Sequence, residues 1–151
     1  MTRILVSVFL LFLPLPVCAG VCAPGLIAGK VTYVRIGDKI ELNGYFLLQL
    51  GGLAAPSWDE PGSPQATNAM REMVLGKWVE CELDGSGIYD RCVAVCRLNG
   101  TDIAEALVRM GFARDCPRYS SGKYQAAEHQ AAAQGATIGE TYGLPAYCRP
   151  R

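Results

Sequence analysis

Few residues of this chain have the types and the spacing that chemistry requires. The stretch FLLQLGGLAAPSWDE (residues 46–60) begins as an apolar strand and ends in a loop, where sites are common, yet it offers no charge until Asp59. Asp38 lies in a Gly-Asp turn between two predicted strands, and Arg91 begins a later strand. The one histidine, His129, lies on a predicted helix between Glu and Gln and is most simply a surface residue. These residues by themselves indicate at most a partial catalytic site.

The cysteines are numerous enough to form a disulfide framework. One of the seven, Cys18, lies in the N-terminal segment, and six follow it. No Cys-x-x-Cys spacing is present, so metal binding and redox catalysis are weaker interpretations than structural disulfides. Cys92 and Cys96 share one face of a strand but lie about 13 Å apart, so they cannot bond to each other. Each of them could instead meet Cys81 on the facing strand, and the residues alone leave that choice open.

The N-terminus has the pattern of a secretory signal. MTRILVSVFLLFLPLPVCAG places Arg3 before an apolar run that ends in small residues. The run is too short to span a bilayer, so a retained membrane anchor is the weaker alternative. We expect residues 1–19 to be a signal peptide cleaved near Ala19, leaving a mature domain of residues 20–151 that is secreted or periplasmic.

The charge balance argues against a protein that captures polyanions through its net charge. The chain carries 14 Lys and Arg against 14 Asp and Glu, and removal of Arg3 with the signal leaves 13 against 14. Any binding of nucleic acid would therefore depend on a local basic patch. No repeat or low-complexity tract divides the chain, which indicates one domain.

The periodicity of apolar residues predicts five strands and three helices. The helices begin near Ser63, Ile103 and Ser121. Gly51 and Gly52 predict a bulge or a tight bend after the third strand. This order of elements predicts an α+β domain in which a five-stranded OB-fold barrel packs against three α-helices. The strands cover AGKVTYVRIG, GDKIEL, GYFLLQLGGL and the two arms of KWVECELDGSGIYDRCVAVCRLNG.

At this point the ordered motifs resemble a known family. GDKIEL, QLGGLAAPS, IYDR, NGTDIAEALVRMGFA and KYQAAEHQAAAQG are similar, in order and spacing, to the staphylococcal nuclease (thermonuclease-like) family. The resemblance extends from residue 26 to about residue 139. It implies an OB-fold barrel with helices packed on it and, in active members, calcium-dependent cleavage of DNA or RNA.

The resemblance also implies that the active site is degenerate. Active members carry a pattern like R-L-x-G-I-D-x-P-E at the end of the third strand. Aligned on Gly52 and Pro56, this chain has Gln49 at the position of the arginine that binds the scissile phosphate. Ala54 stands at the aspartate that binds calcium, and Ser57 stands at the glutamate thought to be the general base.

Four residues match the remainder of the family's site. Asp38 matches the other calcium-binding aspartate, and Arg91 matches the second phosphate-binding arginine. Tyr89 and Tyr119 fall near positions that line the family's nucleotide pocket. Each also has a structural interpretation: a turn residue for Asp38, a solvated edge charge for Arg91, and ordinary exposed tyrosines.

Phosphodiester hydrolysis needs a cationic clamp on the developing charge and a base that activates water. With an arginine, a metal ligand and a base replaced together, we expect no useful activity. Asp59 or Glu60 could substitute if the loop turned back toward Asp38, although Pro61 and Gly62 indicate an ordinary exposed loop.

The sequence therefore predicts a nuclease homologue that has lost its phosphodiesterase activity and serves as a binding or structural module of the cell envelope. The first alternative is an active, secreted, calcium-dependent nuclease, and the second is an accessory protein of exopolysaccharide biosynthesis, which no residue supports chemically. We expect no cofactor, or calcium if the protein is active. We expect a monomer with no membrane span and weak or no binding of nucleic acid; its partner is unknown.

The resemblance bears on the disulfides as well. It implies a wide loop that ends at Arg91, which moves the partner of Cys81 from Cys92 toward Cys96. Elimination then leaves two further pairs as expectations, Cys92–Cys116 and Cys22–Cys148.

Overall fold

The computed structural model describes residues 22–135 and 138–150. The predicted signal peptide, residues 1–19 with its cleavage near Ala19, lies outside the described residues and stays a prediction. Within the described ranges, no helix is both long enough and apolar enough to cross a membrane.

The strands form a closed barrel. Numbered in chain order, the third, second, first, fifth and sixth strands are antiparallel neighbours. The third strand also pairs in parallel with the sixth, with Leu48 opposite Cys92, and this pairing closes the ring. Two of the three short strands pair with each other, and the third extends the sheet beyond the sixth. The strands are β1 (Gly25–Ile36), β2 (Lys39–Leu42), β3 (Phe46–Leu50), β4 (Leu53–Ala54), β5 (Trp78–Ile88), β6 (Arg91–Leu98), β7 (Thr101–Asp102) and β8 (Arg114–Asp115).

Helices pack against this barrel and complete its core. The second helix begins at a side-chain cap, because the Asp102 carboxylate accepts hydrogen bonds from the N–H groups of Ala104 and Glu105. The long helix expected from about Ser121 is shorter than predicted, because Ser121 and Gly122 adopt left-handed conformations and divide the segment. The helices are α1 (Ser63–Val74), α2 (Ile103–Arg109), α3 (Pro117–Ser120), α4 (Gln125–Ala133), α5 (Ile138–Thr141) and a 3₁₀ helix (Ala146–Cys148).

The core follows the alternation of the strands. Apolar side chains at alternate positions of β1, β3 and β6 are buried inside the barrel, while their neighbours remain partly exposed. Tyr124, at the N-terminus of α4, and Ala127 belong to this core, and Ala131 is also buried, as the helical spacing predicts. The predicted α+β fold with an OB-type barrel is confirmed.

Two glycines make the tight bend that carries the chain from β3 to β4. Gly52 has φ +80°, and a Cβ atom there would lie 3.0 Å from Cε2 of Tyr124. The position therefore requires both the conformational freedom and the small size of glycine. Its carbonyl accepts the N–H of Cys116, which aligns β4 with β8.

Three disulfides connect the six cysteines beyond residue 21. Cys81 lies directly opposite Cys96 on the β5–β6 hairpin and bonds to it, which is the pairing that the resemblance implied. The expected pairs Cys92–Cys116 and Cys22–Cys148 are wrong. In their place the structure has Cys22–Cys92 and Cys116–Cys148.

The register of β1 explains the first correction. Gly25 pairs with Leu83 on β5, so Cys22 enters the barrel beside the bulged tip of the hairpin. At that tip Gly87 lies opposite Cys92, and the sulfur of Cys22 lies 3.4 Å from the position of a Cβ atom on Gly87. The expected wide loop at residues 84–90 is instead a bulge followed by a tight turn at Tyr89 and Asp90.

The second correction concerns the C-terminal segment, by which we mean residues 138–150. It packs as a small second core against β4 and α3, where Cys148 bonds to Cys116. Tyr142 in this segment donates a hydrogen bond to the carbonyl of Ala55 at 3.3 Å. The C-terminus is therefore fixed to the loop that follows the barrel's third strand.

Candidate functional site

A cleft of about 730 Å³ lies on the outer face of the barrel, where β3 and β6 pair in parallel. Gln49 and Val93 are cross-strand partners that face this cleft, while the residues on either side of them point into the core. Side chains from the hairpin tip, from α3 and from the C-terminal segment form the remaining walls.

Asp38 lies behind the cleft in the turn between β1 and β2. Its side chain is almost fully buried, and both carboxylate oxygens have donors. Lys39 contacts Oδ1 at 2.7 Å, and Nε2 of Gln49 donates to Oδ2 at 3.3 Å. The predicted metal residue and the predicted catalytic position, Gln49, are thus in direct contact.

The electrostatics of Asp38 are set by burial. Desolvation raises the pKa of its carboxyl above the usual value of 3.8, and this effect outweighs the opposing charges of Lys39 and Arg91. The Lys39 ammonium nevertheless occupies the position of a counter-ion, because it touches the carboxylate and is itself mostly buried. Sequence reasoning missed Lys39, although its place beside Asp38 was visible.

Arg91 lies at the start of β6 and lines the cleft, and its phosphate-binding role stays a prediction. Its Nε donates to the carbonyl of Ile88 at 3.3 Å and lies 3.7 Å from the Asp90 carboxylate. Its guanidinium lies 5.8 Å from the ring centre of Tyr89, which lines the same cleft. Tyr89 has φ +56° in the tight turn, and its ring is exposed to solvent.

Ala54 is fully buried and does not line the cleft. It belongs to the second core, which it shares with Ile138, Tyr142 and the Cys116–Cys148 disulfide. The position that the resemblance assigns to a calcium-binding aspartate is therefore covered by the C-terminal segment. No periodic pattern in the sequence predicted this cover.

Ser57 lies at the rim of the cleft, and the loop after it turns back toward Ser57 itself. Glu60 accepts the Ser57 backbone N–H at 2.6 Å, so its carboxylate caps the loop. Asp84 is the only carboxylate among the described residues that line the cleft. Asp59 is exposed and Glu60 serves the loop, so the structure brings neither of them to the cleft wall.

The structure adds cleft residues that sequence reasoning missed. Tyr119 lines the cleft, as expected, and it is joined there by Tyr147, Trp58 and Arg35. Burial raises the pKa of Tyr147, and the charge of Asp38 raises it further, which reflects how close this C-terminal side chain lies to the turn of β1 and β2. His129 lies on the exposed side of α4, away from the cleft.

Fold and cleft together define an OB-fold protein whose site lies on the outer face of the barrel. A family model described as staphylococcal nuclease homologue matches residues 49–139, more than half of the chain, so the chain belongs to that family. The match ends before Tyr142, Tyr147 and Cys148. A comparison with curated proteins finds no match.

The family implies a calcium ion, and the residues present do not fit one. Calcium takes about six to eight oxygen ligands. At the matching positions this chain offers one carboxylate, Asp38, whose oxygens already accept from Lys39 and Gln49. No group of three or more His, Cys, Asp or Glu within residues 22–135 and 138–150 is arranged to hold a metal.

Proposed function

We propose that this protein is a nuclease homologue that does not hydrolyse phosphodiesters and that acts outside the cytoplasm as a binding or structural module of the cell envelope. The observation that carries the proposal is the contact of Lys39 with Asp38 at 2.7 Å, together with the burial of Ala54. Hydrolysis requires charge stabilisation and a base in the same cleft. A lysine bound to the remaining carboxylate supplies neither a metal site nor a base.

Two further features support a role outside the cytoplasm. Three disulfides join the six cysteines of the predicted mature chain, and disulfides persist in oxidising compartments. The predicted signal peptide at residues 1–19 agrees with that compartment. We propose secretion or delivery to the periplasm, a monomeric state, and no bound calcium.

A cleavage assay tests the loss of activity. Purified residues 20–151 are incubated with single-stranded DNA and with RNA, in calcium and in a calcium chelator, and we expect no cleavage above the buffer blank. Arg91→Ala should abolish any cleavage that occurs in the cleft, because Arg91 lines it. Arg97→Ala is the matched control, because Arg97 lies on the same strand, pairs with Glu82 and does not line the cleft.

The alternative, an active calcium-dependent nuclease, makes the opposite prediction for the same assay. Cleavage that requires calcium, disappears with Arg91→Ala and persists with Arg97→Ala would refute the proposal. Equal cleavage by both variants would come from a contaminating nuclease. The proposal then requires that the wild-type protein show no cleavage after further purification.

A further inference from the structure

Exposed aromatic rings converge on the cleft from four separate segments. Trp58 follows β4, Tyr89 lies at the hairpin tip, Tyr119 belongs to α3, and Tyr147 belongs to the C-terminal segment. Their exposed fractions run from 53% for Tyr147 to 98% for Tyr89. Large rings left in water around one concave site indicate a ligand with flat, partly apolar faces.

Two side chains of the cleft can accept hydrogen bonds from a ligand. Gln49 lines the cleft and donates from Nε2 to the Asp38 carboxylate, and its Oε1 is buried without a hydrogen-bond partner among the described residues. Asp84, in the cleft wall, adds a carboxylate whose Oδ1 accepts from Ser86. A phosphodiester backbone presents acceptors to these oxygens, whereas a hydroxyl group can donate to them.

The cations of the cleft give no excess positive charge for a polyanion. Lys39 is bound to Asp38, and Arg91 lies between a carbonyl and the Asp90 carboxylate. Among the described residues, Arg35 is the remaining cation of the lining, and the single carboxylate of the lining, Asp84, balances its charge. Because strong binding of nucleic acid depends on net neutralisation of phosphates, this cleft is poorly suited to it.

The C-terminal segment supplies part of this wall. Tyr147 lies next to Cys148, whose disulfide to Cys116 fixes it beside α3 and Tyr119. Both Tyr147 and Cys148 lie beyond the residues matched by the family model. This part of the wall therefore lies outside the region that the family model matches.

We propose that the cleft binds a sugar chain, with pyranose faces stacked on the rings of Tyr119, Tyr147 and Trp58 and hydroxyl groups donating to Gln49 and Asp84. The inference deepens the proposed binding function and depends on the same cleft. Tyr147 is a contact residue in this arrangement, and the Cys116–Cys148 disulfide positions it.

Tryptophan fluorescence measures this binding directly. The chain has two tryptophans, so Trp78→Phe leaves Trp58 as the only reporter, and it lies in the cleft. This variant of residues 20–151 is titrated with cellohexaose, chitohexaose, hexagalacturonate and single-stranded dT8. We expect saturable binding of at least one hexasaccharide that changes little between about 0.05 and 0.2 M salt, a range over which binding to phosphates weakens strongly.

Substitutions then assign the contacts. Tyr147→Ala and Gln49→Leu should each weaken the bound hexasaccharide by about tenfold. Tyr45→Ala is the matched control, because this ring is also exposed but lies outside the cleft. Cys116→Ser with Cys148→Ser should weaken binding as Tyr147→Ala does, and circular dichroism confirms that each variant is folded.

Three results would overturn the inference: no hexasaccharide binding by the folded protein, salt-sensitive binding of dT8 alone, or equal affinities of the Tyr147→Ala and Tyr45→Ala variants. The cleavage assay is scored separately. Sugar binding together with calcium-dependent cleavage would uphold this inference and refute the proposed loss of activity, so the two failures are distinguishable.

Discussion

The cover over β4 makes a quantitative prediction for Ala54→Asp, the substitution that returns the residue type of the family's calcium ligand. Ala54 is fully buried beneath Tyr142 and the Cys116–Cys148 disulfide. Arg114 is its cross-strand partner, but the Arg114 guanidinium is bound by Glu128 at 2.7 Å. A carboxylate at position 54 would therefore lack both solvent and a free counter-ion.

The cost of this substitution has two parts. Added volume in a packed site costs about 1–3 kcal/mol, and Ala54→Asn, which has nearly the same shape without the charge, measures this part. An unpaired buried charge costs about 3–5 kcal/mol more. Burial raises the folded-state pKa of such a carboxyl, so the folded state binds more protons than the unfolded state. The Ala54→Asp variant should therefore lose stability relative to Ala54→Asn as the pH rises.

Urea denaturation followed by fluorescence measures both free energies of unfolding at about pH 5 and pH 8, with and without calcium. We expect Ala54→Asp to be less stable than Ala54→Asn by about 3–5 kcal/mol at the higher pH, with no recovery on adding calcium. A folded Ala54→Asp variant that matched the wild type, or that gained stability with calcium, would show that position 54 is open to solvent and that the reasoning about the cover is wrong.

The remaining predictions concern Asp38 and the disulfides. Burial raises the pKa of Asp38 above 3.8. The contribution of this carboxyl to the free energy of unfolding is therefore fully present below pH 3.8 and is lost as the pH rises through the folded-state pKa. In urea denaturation the wild type should lose stability relative to Asp38→Asn over this pH interval. The loss should be about 1.4 kcal/mol for each unit by which the folded-state pKa exceeds the unfolded-state pKa. A difference in free energy of unfolding that did not change with pH would contradict the burial of Asp38. Paired Cys→Ser substitutions should cost about 4.4 kcal/mol for Cys22–Cys92 (separation 70) and about 3.0 kcal/mol for Cys81–Cys96 (separation 15), because longer loops lose more entropy. Non-reducing peptide maps should contain these two pairs, and a Cys81–Cys92 peptide would contradict the register of the hairpin.

The barrel could be predicted from the sequence because its elements are encoded locally. Alternation in β1, β3 and β6 fixes which side chains face inward, and helical spacing around Ile103 and Tyr124 fixes two packed faces. The length of the third helix was not predictable in the same way. Ser121 ends α3 in a left-handed conformation that its residue type does not require, and the left-handed Gly122 follows it.

The features that the sequence could not give depend on contacts between distant segments. The pairing of Cys22 with Cys92 follows from the register of β1 on β5 together with the bulge between β5 and β6, which sets Gly87 opposite Cys92. The residues of the C-terminal segment have no helical or strand period, so neither the position of Tyr147 nor the cover over Ala54 had a signal in the pattern. Only Lys39, which adjoins Asp38, could have been recognised as its counter-ion.

The two positions that the resemblance assigns to a metal site, Asp38 and Ala54, differ in physical character, and this bears on how the cleft is used. At Asp38 the carboxylate remains, and a lysine ammonium neutralises it from within the chain. At Ala54 the ligand is absent, and an apolar cover stabilised by Tyr142 and a disulfide fills the space above it. If only the charge were absent, the site would be an open polar cavity. Buried polar groups in such a cavity need hydrogen-bond partners or ordered water. Here each position has its own compensation, and the segment that covers Ala54 also places Tyr147 in the cleft, so the burial of Ala54 and part of the aromatic wall depend on the same segment.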